Sequence, residues 1–182
     1  MHKLINAALF QACWFCAILL GWTYALIPLA AMAMHGILFE SKQHRYRFVI
    51  LFVVLGCLFD SAMKAAGHYT FVNNASGLIP LWLVCLWCGF ALTLASSMSW
   101  WQRYPKAFVV ACALAAPMSY LAGMRLGALE ITSTGFVLIS LAWSCLALFV
   151  IKLHPSVVSE LTARKKYADS KYQNGHQICG QE

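Results

Sequence analysis

Asp60 and Lys64 stand one helical turn apart in the stretch "GCLFDSAMKAAGHY", residues 56–69, which is otherwise apolar enough to lie in lipid. A carboxylate and an ammonium at i and i+4 share a helix face. Because helical side chains lean toward the N-terminus, the ammonium is directed back at the carboxylate. Two chemistries follow: a structural ion pair that fixes helix register, or a site that takes up a proton or holds an anionic group. Arg125 and Glu130, at the end of a later apolar segment, are candidates for the same network. Ser119, Gly123 and Gly127 recur every four residues around Arg125 and would permit close backbone approach of another helix.

A second polar set comprises Asn6, Gln11, His35 and Ser97, with Glu40, Ser96 and Ser99 beside it. Interhelical hydrogen bonds, at about 1 kcal/mol each, account for most such residues in membrane helices. His35 is the one candidate proton carrier. Two cysteine pairs, "CWFC" at 13–16 and "CLWC" at 85–88, lie inside apolar runs with no cation beside them to favour a thiolate. They read as small hydrophobes. No metal is expected, since the pairs lack flanking ligands, and no haem, since His35 and His68 fall at opposite depths. No other cofactor motif is present in the sequence, nor a triad, an H-E-x-x-H or a phosphate loop, so an autonomous hydrolase or metalloenzyme is disfavoured.

The elements that must position these residues follow from composition. With 62% hydrophobic and 10% charged residues among 182, the chain departs far from the roughly one-quarter charged content of soluble domains. Apolar residues run continuously, so the fold class is all-α, a polytopic membrane bundle of about six helices. Residues 4–39 are too long for one span and divide at "GWTY", residues 21–24; further spans are expected over 48–67, 78–98, 107–124 and 134–151. The bundle domain covers 1–154, and 155–182 forms a polar, flexible cytoplasmic tail. Trp100, Trp101 and Tyr104 sit where an interfacial aromatic belt belongs.

The net charge of +7 lies in loops and tail, as membrane insertion requires, and does not indicate nucleic acid. Lys3, Lys42, Arg45, Arg47, Arg103, Lys106 and Lys152 fall on one side, against Lys64 and Arg125 on the other, which places both termini in the cytoplasm. Asp60 then lies roughly 20 Å from the inner surface, where a short side chain cannot reach water and needs a partner or a proton. Lys64 lies near the outer edge and can snorkel.

Four stretches, "NAALFQACWF", "GCLFDSAMKAAGHYTF", "PLWLVCLWCGFALTLASSMSWW" and "APMSYLAGMRLGAL", resemble the motifs of a bacterial inner-membrane protein family catalogued only as a domain of unknown function. The resemblance covers nearly all of residues 6–127. It implies an integral inner-membrane protein and points toward fatty-acid or membrane-lipid metabolism. Carried onto this chain, the family-like positions are Asn6, Gln11, Trp14, Asp60, Ser61, Trp82, Trp87, Ser97, Trp100, Pro117, Tyr120, Gly123, Gly127 and Ala128, which adds Tyr120 to the site candidates. Ala115 and Ala116 stand where the family pattern has a glycine, a departure that bears on the bend before Pro117. The expected function is a lipid-binding or accessory protein whose Asp60, Lys64 and Arg125 network meets membrane lipid at the outer leaflet. The alternatives are a small proton-coupled transporter titrating at Asp60, and a structural or assembly partner without chemistry of its own. Expected partners are membrane lipids, membrane-associated enzymes or a second copy.

Overall fold

The computed structural model describes residues 2–39, 44–72, 78–97 and 103–153. Helix α1 (His2–Phe15) continues through a wider π turn, Cys16–Leu20, and stops at Gly21, whose φ of 94° ends the helix where the sequence placed a hairpin turn. Helix α2 (Trp22–Phe39) returns alongside α1, carrying Pro28. Then follow α3 (His44–Ala65), strand β1 (Tyr69–Phe71), α4 (Leu81–Ala95), α5 (Pro105–Arg125), strand β2 (Leu129–Ile131) and α6 (Ser133–Leu153). The 155–182 tail and the belt residues Trp100 and Trp101 lie outside the described residues.

Three spans are long and apolar enough to cross a membrane: His2–Leu20, Pro105–Arg125 and Ser133–Lys152. Large apolar side chains on the outside of the bundle, such as Leu4, Ile27, Leu114 and Leu138, suit contact with lipid. Helix α4 is the centre. At 15 residues it is about 22 Å long, and its buried residues (among them Leu83, Cys85, Trp87, Gly89, Ala91 and Leu94) leave no solvent face. It packs against α1, α2 and α3, while α5 lies along α6 as a separate pair. Small residues permit the close crossings: a Cβ at Gly89 would come within 3.2 Å of Phe10 and 3.5 Å of Cys13.

The loops after α3 and α5, read from sequence as plain turns, form one two-stranded antiparallel sheet with Tyr69 opposite Ile131, Thr70 opposite Glu130 and Phe71 opposite Leu129. Each strand follows the same cap. The Gly67 and Gly127 amides donate to Lys64 and Met124, and the His68 and Ala128 amides donate to Met63 and Gly123, with the glycines at φ of 77° and 76°. This is the Schellman arrangement, which requires a left-handed residue after the helix. Gly127→Ala should therefore cost about 1 kcal/mol, read as a lowered melting temperature in detergent; no change would mean the cap contributes nothing.

The matching caps reveal an internal repeat: α3-β1-α4 and α5-β2-α6 are two copies of one unit. The strand register maps onto itself when the copies are exchanged, since Tyr69 and Ile131 become Leu129 and Phe71, already partners. A quasi-two-fold axis thus passes between Thr70 and Glu130. Further along it, Asp60 and Tyr120, each seven residues before its glycine, meet each other, and Trp87 stacks on Trp143 with ring centroids 5.0 Å apart and planes 16° from parallel. The α1-α2 hairpin lies outside the repeat and packs chiefly on the first copy's α4.

Candidate functional site

Asp60 is fully buried on the axis. Trp87 Nε1 donates to its Oδ2 at 2.7 Å, and the Tyr120 hydroxyl donates across both carboxylate oxygens at 2.8 Å each. Three helices, α3, α4 and α5, are thereby tied at one point. A buried carboxylate that accepts two side-chain donors is compensated without an ion pair.

The partners differ from those the i, i+4 spacing suggests. Lys64 reaches toward the sheet end of the bundle, where its Nζ donates to the Leu78 carbonyl at 2.9 Å and lies 5.7 Å from the centre of the Phe71 ring. A long amphipathic side chain in the last turn of the helix finds that polar position without leaving its stem exposed, whereas Asp60 is short and stays where Trp87 and Tyr120 reach it. Arg125 is exposed at the end of α5, and Glu130 is exposed in β2 opposite Thr70. Of the five site candidates Asp60, Lys64, Arg125, Tyr120 and Glu130, the structure joins Asp60 and Tyr120. Lys64, Arg125 and Glu130 surround the sheet end.

Tyr69 completes the surroundings of the carboxylate. Its ring lies 5.7 Å from that of Tyr120, and its buried hydroxyl makes no hydrogen bond of good geometry among the described residues. Burial, followed by the charge of Asp60, raises this hydroxyl well above the ordinary tyrosine range, so it remains protonated and a donor.

The second polar set separates in the same way. The Ser97 hydroxyl donates to Asn6 Oδ1 at 2.9 Å, joining α4 to α1, while Asn6 Nδ2 is buried without a partner among the described residues. His35 is buried with its ring 5.9 Å from that of His2. Gln11 is exposed on the outer face of α1. Glu40 and Ser99 lie outside the described residues. The seven described cysteines are free; Cys13 and Cys85 pack together with Ala17, Ala25 and Met32 in the core of α1, α2 and α4.

Beside the carboxylate lies a cavity of about 230 Å³ between α1, α4, α5 and α6. Its walls are apolar and aromatic, chiefly Phe10, Trp14, Trp87, Phe90 and Trp143, with Ala111, Ala115 and Ala116 giving it room along α5. Tyr120 and Trp87, the two donors to Asp60, form part of the wall. Ala116 is buried and Ala115 exposed, so the cavity runs from the core to the outside of the bundle. There Trp14 Nε1 donates to Ser119 Oγ at 3.1 Å and links α1 to α5.

A second cavity, of about 430 Å³, lies on the other side of the Trp87–Trp143 stack and is lined from α3, α4 and α6. The repeat relates the two. Leu55, Phe59, Ala142 and Leu146 in the second occupy the places of Ala115, Ser119, Leu86 and Phe90 in the first. Small residues on α5 therefore replace large ones on α3, and only the first cavity is roofed by α1.

Residues 3–149 match the family described as "Protein of unknown function (DUF2878)". The chain belongs to that family. The match takes in the axis residues, both cavities and the α1-α2 hairpin. No curated protein and no solved structure matches the chain. Tyr69 and Trp143 contribute to the site although neither was among the candidate residues read from the sequence. The pattern that points to Trp143 is the repeat, through "AAGHYTF" and "RLGALEI".

Proposed function

We propose that this DUF2878 protein is a six-span bacterial inner-membrane protein, with both termini cytoplasmic, that binds a membrane lipid by taking an acyl chain into the α1-α4-α5-α6 cavity. The cavity itself carries the reading. Its walls are apolar and it reaches the outside of the bundle between two lipid-facing helices, a shape suited to a ligand arriving from the bilayer. Tyr120 stands at one end of the lining, and Arg125 lies about 8 Å further along the helix, where a cation suits an anionic headgroup. In this reading Asp60 is a positioning residue that holds Tyr120 and Trp87 in the wall. An accessory role, presenting lipid to a membrane-associated enzyme, needs no catalytic group of its own.

One observation favours the proton-coupled carrier as a second reading. The Tyr120 hydroxyl both lines the cavity and bonds Asp60, so a proton on the carboxylate is one side chain from a bound substrate.

Filling the cavity tests the lipid reading. Ala115 is exposed and lines it, so Ala115→Trp adds bulk without disturbing the core. Native mass spectrometry of the purified protein should show copurifying lipid reduced about tenfold in the variant at an unchanged melting temperature. Equal lipid in both would overturn the reading.

A further inference from the structure

The α1-α4-α5-α6 cavity has its mouth along one edge. Among the residues that line it, Ala115 and Ser119, one turn apart on α5, are exposed, while the others are buried or half-buried. The mouth is bridged at Ser119. Trp14, a half-buried wall residue on α1, donates from Nε1 to Ser119 Oγ at 3.1 Å. This bridge crosses a seam between two packed sets, since α1 packs on α2 and α4 whereas α5 packs along α6. One turn further on, Ile18 in the π turn comes to 3.7 Å from the place of a Cβ on Gly123, so α1 and α5 run parallel here and meet over small residues of α5. Deeper in the cavity α1 is anchored on α4. Phe10 packs edge to face on Phe90, with ring centroids 5.9 Å apart, and Phe10 and Cys13 both lie against Gly89.

We propose that the ligand enters and leaves this cavity sideways through the α1-α5 seam, and that the Trp14 indole closes the passage with its bond to Ser119 as the latch. The inference rests on the lipid reading above and adds to it the route and the residues that control it. An acyl chain reaching this wall from the bilayer passes the exposed Ala115 and Ser119, and at Ser119 it meets the indole. Trp14 can swing outward by a rotamer change while Phe10 and Cys13 keep α1 on α4, so opening requires no displacement of a helix. The latch resists that swing because an indole N–H turned into hydrocarbon has no acceptor until it returns. Trp14 and Ser119 thus set the rate of exchange, whereas Tyr120 and Arg125 lie along the bound ligand.

The test follows one probe, dioleoyl phosphatidylglycerol with perdeuterated chains, on the full-length protein in detergent by native mass spectrometry. The share of label that Ala115→Trp fails to hold defines what occupies the cavity. Chased with unlabelled lipid, Ser119→Ala should release that share roughly threefold to tenfold faster than wild type, the effect of removing one net hydrogen bond from the closed state. Uptake should quicken by the same factor, because the bond stands before and after passage and is broken only during it. Ser119→Thr keeps the hydroxyl and should restore the wild-type rate. In Trp14→Phe, which lacks the donor, adding Ser119→Ala should change nothing further. An unchanged rate in Ser119→Ala would overturn the inference, and so would an equal acceleration in the Trp14→Phe background, since Ser119 would then act without Trp14. Faster release with unchanged uptake would make Ser119 a contact of the bound lipid and refute the latch, while leaving the lipid reading intact. Label held equally by wild type and Ala115→Trp would overturn the lipid reading and this inference with it.

Discussion

Asp60→Ala should lower the stability of the protein in detergent by about 2 to 4 kcal/mol, whereas Asp60→Asn should cost about half as much. The alanine variant leaves the Trp87 N–H and the Tyr120 O–H buried without an acceptor, and each unpaired donor is worth about 1 to 3 kcal/mol. The lower part of that range applies to lipid-embedded helices, because chains separated in the membrane also find partners for their polar groups. Asparagine retains one acceptor oxygen and about the same shape, so one of the two donors stays satisfied. Lys42→Gln, in a segment expected to lie in a loop, serves as the control. Reversible unfolding by detergent titration gives the three values directly. If alanine, asparagine and the control lose equal stability, the tie between α3, α4 and α5 is not what holds them. Should Asp60→Ala instead keep its stability and lose a pH-dependent flux, the proton-carrier reading would replace the lipid one.

The helices were legible because continuous apolar runs broken by charge leave little choice of architecture. Gly21 ended α1 as its neighbours suggested, and α5 and α6 agree with their expected spans to within two residues at each end. The aspartate within an apolar run was legible as costly, but its partners were not. Local spacing speaks for Lys64, yet the contacts of Asp60 come from Trp87 and Tyr120 on other helices, and only tertiary packing brings those near. The sheet was missed because three-residue strands carry no period to read. Its pairing is imposed by two glycine caps that are similar in form although their sequences, "AAGHY" and "RLGAL", share only the glycine. The cavities likewise have no local signal: one lies on each side of the Trp87–Trp143 stack, and their walls differ where Ala115 and Ser119 stand in the places of Leu55 and Phe59.

Gly56→Ala should be as damaging as the loss of Asp60 itself, although it adds a single methyl group. Gly56 lies one turn before Asp60 on the same face of α3, and the Trp87 indole crosses directly over it on the way to the carboxylate. A Cβ at this position would fall within the Trp87 ring, whose members are part of a buried stack and cannot yield as the end of a flexible chain would. Overpacking of that kind costs about 1 to 3 kcal/mol, and moving the indole also breaks its bond to Asp60, for a total of roughly 3 to 5 kcal/mol. Displacing Trp87 would in addition disturb its stack on Trp143, whose ring lies 5.0 Å away centroid to centroid. The decisive measurement is a double-mutant cycle with Trp87→Ala. Once the ring is gone, the atoms nearest the new Cβ are gone with it, and alanine should gain its usual advantage over glycine within a helix, about 0.5 to 1 kcal/mol. The same substitution is therefore expected to reverse sign between the two backgrounds. A Gly56→Ala penalty that persists without the indole would locate the steric conflict elsewhere on α3 and remove Trp87 as the reason for the glycine.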